Sequence, residues 1–210
     1  MPASIHGKVQ DDIVISISQA IGRLPESHSW ASQGNEQTTD CVQWSLSGRP
    51  RTDPRVPEDI LVDIELLRSN NIDDVLSGVR QLIKGSELIA YKSIDWWLGV
   101  YETVADHIVV CPSADQFDIL RFEMGPSPWS DSEYFIDELK EYDDHIGIDI
   151  TGAGYAVVEF RLKRVPTGEE AQALSDRILE FAPDVVYGGG EVVEVIDFAK
   201  SDGLVSLWWD

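Results

Sequence analysis

Apolar residues recur at helical spacing in several stretches. Residues 11 to 24 place Ile13, Ile17, Ala20, Ile21 and Leu24 on one face, with Asp11 and Asp12 at the start where acid suits the helix dipole. A helix is predicted there. Residues 25 to 40 are rich in Ser, Gln, Asn and Thr without a period and read as an exposed loop. In residues 41 to 46, Val42, Trp44 and Leu46 alternate with Cys41, Gln43 and Ser45, the pattern of a short strand. Residues 49 to 57 read as a second loop, locally basic, and helices are predicted over 58 to 68 and 72 to 84. The second of these helices carries Ile72, Val75, Leu76, Val79 and Ile83, with Gly85 as its C-cap.

From Ser86 the period changes to strands: ELIAYKSI, WWLGVYET and HIVVC, the last stopped by Pro112. Ser130 and Glu133 have capping-box spacing before a helix striped by Phe135, Leu139 and Tyr142. A hairpin is expected next, IGIDI against YAVVEFRL, turning on Gly152-Ala153-Gly154. Thr167 and Glu170 give a second capping-box match before a helix with Ala171, Leu174, Ile178 and Phe181, and Pro183 closes it. Val192, Val195, Ile196 and Ala199 suggest a last short helix, and LVSLWWD a final strand. The order predicts an α+β fold, a mostly antiparallel sheet with helices packed on one face. It leaves room for two sub-domains, an N-terminal α+β region over 1–104 and a C-terminal α+β domain over 105–210.

Charge sharpens that division. The 210 residues carry 38 Asp plus Glu against 16 Lys plus Arg, a net charge of -22. Residues 1–105 hold 15 acids and 9 bases, net -6, whereas residues 106–210 hold 23 acids and 7 bases, net -16. Such a surface repels phosphate backbones and anionic headgroups, so neither a nucleic acid nor a membrane is an expected partner. A basic protein is the expected one, since complementary fields speed encounter. Self-repulsion favours a monomer or small oligomer.

With 43% apolar residues and 7 Trp, the chain has material for a core. Cys41 and Cys111, seventy residues apart without CxxC or Cys/His clustering, read as small strand residues and not as a disulfide framework or zinc site. The N-terminal residues lack a basic region followed by an apolar run, which gives a cytoplasmic expectation.

Phe117-Asp118-Ile119-Leu120-Arg121, the helix from Leu139 to Tyr142 leading into GIDITGAGY, Phe181-Ala182-Pro183-Asp184-Val185-Val186 and Leu207-Trp208-Trp209-Asp210 occur in that order. On these motifs residues 105–210 resemble a bacterial family described only as a domain of unknown function. The sequence departs from the usual pattern in having Ala182 where a Cys is common and in lacking an Asp-Trp pair after Gly152-Ala153-Gly154. The resemblance implies a bacterial origin and a fold, and brings no activity with it.

Local chemistry is sparse. Gly188-Gly189-Gly190 precedes Glu191 and Glu194 with no following Lys, unlike a phosphate loop. His107 beside Asp106, and His145 beside Asp143 and Asp144, suit a strand and a helix C-terminus as well as a general base. No catalytic, cofactor-binding or metal-binding residue is assigned, and no cofactor is expected. The candidate partner-binding residues are Asp137, Glu141 and Asp144, which line one helix face, together with Trp97 and Trp209 of the two Trp-Trp pairs. Adjacent strand residues point to opposite faces, so one Trp of each pair needs a cover beyond one layer of helices. These features suggest an immunity or inhibitor protein neutralising a basic toxin, encoded by an adjacent gene. The alternative is an enzyme using a carboxylate and His107 or His145 in a cleft between the halves.

Overall fold

A computed structural model describes residues 9–21, 26–31, 38–45, 72–94, 107–123, 132–154, 156–184 and 194–209. The chain divides into two compact units, Met1–Asp118 and Ile119–Asp210. The described residues form an α+β fold with a mostly antiparallel sheet. The predicted helix 58–68, the strand at 96–103, Trp97 and Gly188–Gly190 lie outside the described residues.

The first unit runs α1 (Asp11–Ile21), β1 (Glu26–Ala31), β2 (Thr38–Ser45), α2 (Ile72–Leu82), β3 (Ile89–Ser93) and β4 (His107–Cys111), with the strands in the order β1-β2-β4-β3. Helix α2 follows the predicted spacing, and α1 does so at Ile13 and Ile17, although Ala20 of the predicted face is exposed and Ser18 is buried instead. Ile17, Leu76, Val79 and Ile83 bury against Trp44, Ala90, Ile108 and Val110, and the Trp44 indole donates to Ser18 Oγ at 3.1 Å. Lys92, on the same sheet face as Ala90, reaches Asp73 of α2 at 2.8 Å. Val109, Cys111 and Tyr91 on the opposite face are also buried. That two-sided burial explains why β4 reads as an unbroken apolar run.

Two expectations fail in this unit. Residues 26–31, expected in a loop, form β1 and pair with β2 from Glu26↔Gln43 to Ala31↔Thr38. A polar strand at the edge of this strand order satisfies its backbone through one neighbour and needs no apolar alternation. Cys41 and Cys111 are not separate small residues but a disulfide, with Cα atoms 4.5 Å apart. Strands β2 and β4 pair Val42 with Val110, which places the two cysteines opposite each other despite seventy intervening positions.

Helix α3 (Asp118–Glu123) carries the Phe117–Arg121 motif and was not evident from periodicity, being only 6 residues long. The second unit continues with α4 (Ser132–Ile146), β5 (Ile148–Gly154), β6 (Val157–Leu162), α5 (Glu169–Phe181) and β7 (Leu204–Trp208). Strands β5, β6 and β7 form an antiparallel meander, with β6 in the middle. One face presents Ile148, Ile150, Ala153, Val158, Phe160, Leu162, Val205 and Leu207, all buried. Register explains the set, because Ile150 opposes Phe160, which in turn opposes Val205.

At the α4–β5 junction Gly147 adopts φ +77°, and its N–H donates to Asp143 O at 2.9 Å. The Asp143 carboxylate then accepts from Ile148 N at 2.8 Å and from Lys163 Nζ at 3.1 Å, tying the helix end to the hairpin.

Three local expectations are corrected here. Gly152-Ala153-Gly154 is not the turn but the end of β5, paired with Glu159, Val158 and Val157, and a bulge falls between Ile150 and Gly152. Glycine in a strand marks such bulges as readily as turns. The Thr167/Glu170 capping box does not form: Gly168 is the N-cap with no side-chain cap bond, and Glu170 pairs with Arg164 instead. Glu133 of the other proposed box is held by Arg121 at 2.8 Å, while Ser130 lies outside the described residues. The last predicted helix is absent among residues 194–203, which form bends and turns anchored by Ile196 N donating to Ser175 Oγ at 2.6 Å.

Candidate interaction surface

Helix α4 buries Phe135, Ile136, Leu139, Tyr142 and Ile146 and exposes Asp137, Glu141 and Asp144 on the opposite side. The three carboxylates thus share one solvent-facing strip, as their spacing of three and four residues requires. They are not equivalent. Glu141 pairs with Arg177 of α5, which also grips Glu138 through Nε at 2.6 Å and a second nitrogen at 3.1 Å. Asp137 and Asp144 make no ion pair with any described residue. Exposed Glu169, Glu180 and Glu194 are likewise without one.

Arg177 organises the space between α4 and α5. Its guanidinium carbon stands 5.3 Å from the centre of the Tyr142 ring. Burial raises the Glu138 pKa, but bonding to Arg177 and the nearness of Tyr142 outweigh that effect and leave the carboxyl below its ordinary value. The buried Tyr142 hydroxyl approaches Glu138 without closing a hydrogen bond of normal geometry. Burial first, and then Glu138, push its ionisation far up, so Tyr142 remains a neutral phenol.

Trp209 lies just beyond β7, on the side of the sheet that α4 and α5 cover. Its ring meets Phe135 edge-on at 4.5 Å and Phe181 at 5.3 Å between centroids, and its indole N–H donates to Phe181 O at 3.1 Å. Trp209 is half-buried, and this cover comes from its own unit. Tyr134 is the more open aromatic: 58% exposed, it rests its ring 5.8 Å from Phe181 and stands beside the acidic strip. It falls one position outside the Phe135 stripe and so leaves no mark in the apolar periodicity. Its spacing of three and seven residues from Asp137 and Glu141 was the available signal.

His107 sits in β4 opposite Ser45 and Ser93, in the first unit. His145 is exposed in the last turn of α4, in the second. Among the described residues no group of three or more His, Cys, Asp or Glu is arranged to hold a metal ion. No described helix is long and apolar enough to cross a membrane.

The acidic strip and the Trp209 cluster both fall within one matched segment. Residues 107–210 match the domain of unknown function DUF4253. The DUF4253 segment begins with β4 and includes α4, α5 and the meander, and hence Asp137, Glu141, Asp144, Tyr134 and Trp209. No curated protein and no solved structure matches the chain. Within the DUF4253 segment, Phe117–Arg121 opens α3, and Phe181 joins the aromatic cluster beside the buried Ala182.

Proposed function

We propose that this chain is a non-catalytic binding protein, an immunity or inhibitor protein that neutralises a basic bacterial toxin through the acidic surface of its C-terminal half. The observation that carries the reading is the α4 strip. There Asp137 and Asp144 face solvent without a described ion-pair partner, in a half of net charge -16, beside the open ring of Tyr134. Acidic side chains left unneutralised keep their field for an incoming cation, and a supported aromatic ring supplies the anchor that charge alone lacks. Glu141 contributes less, because Arg177 already holds it.

The test is capture of the adjacent gene's product by the tagged chain at about 0.05 M and about 0.5 M salt, a range over which screening shortens severalfold the reach of charge. Tight capture of a basic protein, with association slowed by salt, supports the reading. The chain carrying Asp137→Lys and Asp144→Lys should then associate at least about tenfold more slowly at low salt. Glu141 is left intact so that the Arg177 contact is not disturbed. Unchanged affinity and salt dependence in that variant would remove the acidic strip from the interface, and failure to capture any basic protein would overturn the inhibitor reading itself.

A further inference from the structure

The chain has 2 cysteines, and β2 and β4 bring them together. Their Cα separation of 4.5 Å is that of a non-hydrogen-bonded antiparallel pair, where side chains approach most closely and the ladder adds no bond of its own. Position matters as much as distance. The described β2–β4 pairing runs from Val42↔Val110 to Ser45↔His107, while Cys41 pairs with His28 of β1 and Cys111 with Ile89 of β3. The two cysteines stand one residue beyond the last described β2–β4 pair, each held on its other side by a further strand. Cys41 and Cys111 are 1% and 0% exposed, and the Tyr91 hydroxyl stands 4.0 Å from Cys111 Sγ. The sulfurs are closed to an attacking thiolate unless the sheet opens.

We infer that Cys41–Cys111 is a permanent staple, introduced once by a disulfide-donating thiol oxidant, and that the chain matures where thiols are oxidised. A cysteine thiolate attacks the donor disulfide, forming a mixed disulfide and releasing the donor's other sulfur. The second cysteine thiolate then attacks the chain-side sulfur, closing the bond and releasing the donor as a dithiol. Two electrons and the two thiol protons pass to the donor. With no third cysteine, the chain cannot reshuffle the bond within itself. Disulfides persist in oxidising compartments and are rare in reducing cytosol, so this inference is at odds with the cytoplasmic expectation.

The experiment traps thiols in the source cells with acid and a maleimide, and weighs the intact full-length chain. A second arm follows dithiothreitol reduction of the folded chain and of the chain in denaturant. The expected result is an unlabelled chain whose bond is reduced at least about 30-fold more slowly when folded, since attack must await opening of the sheet. Two maleimide labels on the trapped chain would show that it lives reduced and would overturn the inference. Protection below about 30-fold would also overturn it, by making the bond an accessible switch.

Discussion

Replacing Arg177 with Met tests the contact that joins α4 to α5. The substitution keeps a long apolar stem but removes the fork on Glu138, the contact with Glu141 and the charge above Tyr142. Glu138, whose side chain is 20% exposed, then remains as a half-buried carboxylate without its counter-ion. Breaking a fully buried pair costs about 3–5 kcal/mol. Arg177 is 34% exposed, so solvent screening reduces the expected loss to about 1–2 kcal/mol, or roughly 3–6 °C in melting temperature. Urea unfolding of both proteins at pH 7 measures it.

The pH dependence supplies an independent check. Glu138 has a folded pKa below its ordinary 4.5, so its contribution is present above that value and is lost as pH falls through the folded pKa. The gap between wild type and Arg177→Met should therefore be full at pH 7 and narrow on acidification below about pH 4.5. Adding Glu138→Gln to the variant should recover part of the loss, because the uncompensated charge disappears. Arg177→Lys, which cannot fork, should fall between wild type and Met. A variant as stable as wild type at pH 7, or a gap unchanged from pH 7 to pH 3, would refute the reasoning.

Cys41→Ala with Cys111→Ala should lose about 4 kcal/mol by chain-entropy reasoning for a sequence separation of 70, read by urea unfolding under non-reducing conditions. A loss under about 1 kcal/mol would mean that the bond does not restrict the unfolded chain as supposed. Gly147→Ala should cost about 1–2 kcal/mol, since φ +77° disfavours a side chain and the new Cβ would meet Lys163 Cδ at 2.8 Å. Lys163→Ala in the same background should recover only part of that loss in thermal melts, since it removes Cδ but leaves Cβ 3.1 Å away and gives up the Asp143 contact. Trp209→Phe should cost about 1 kcal/mol for the indole bond to Phe181 O, and Trp209→Ala about 3 kcal/mol as the Phe135–Phe181 cluster loses its edge partner. Equal losses in the two variants would show that ring packing contributes nothing.

The α4 face was legible because both sides of an amphipathic helix announce themselves: Phe135, Leu139 and Tyr142 bury, and Asp137, Glu141 and Asp144 are exposed. β6 was legible for the same kind of reason, since Val158, Phe160 and Leu162 alternate with Glu159 and Arg161. β1 was not, because its Ser and His residues join the sheet through backbone bonds that leave no apolar imprint. Pairings across long separations were also hidden. The Arg177–Glu138 contact depends on two helices meeting, and Cys41–Cys111 on a strand register. The cover of Trp209 was hidden as well: it was expected at a partner surface, and periodicity could not show that Phe135 and Phe181 of its own unit would meet its ring.

The Cys41–Cys111 bond also changes how the chain would bear load. A pull applied at its two ends passes directly from one sulfur to the other, so residues 42–110 carry no tension while the bond lasts. Stretched in an optical trap, the oxidised protein should extend about 240 Å less than the reduced one, at about 3.5 Å for each hidden residue. The same closure means that one peptide-bond cut within that stretch releases nothing: the two pieces stay joined until the sulfurs are parted.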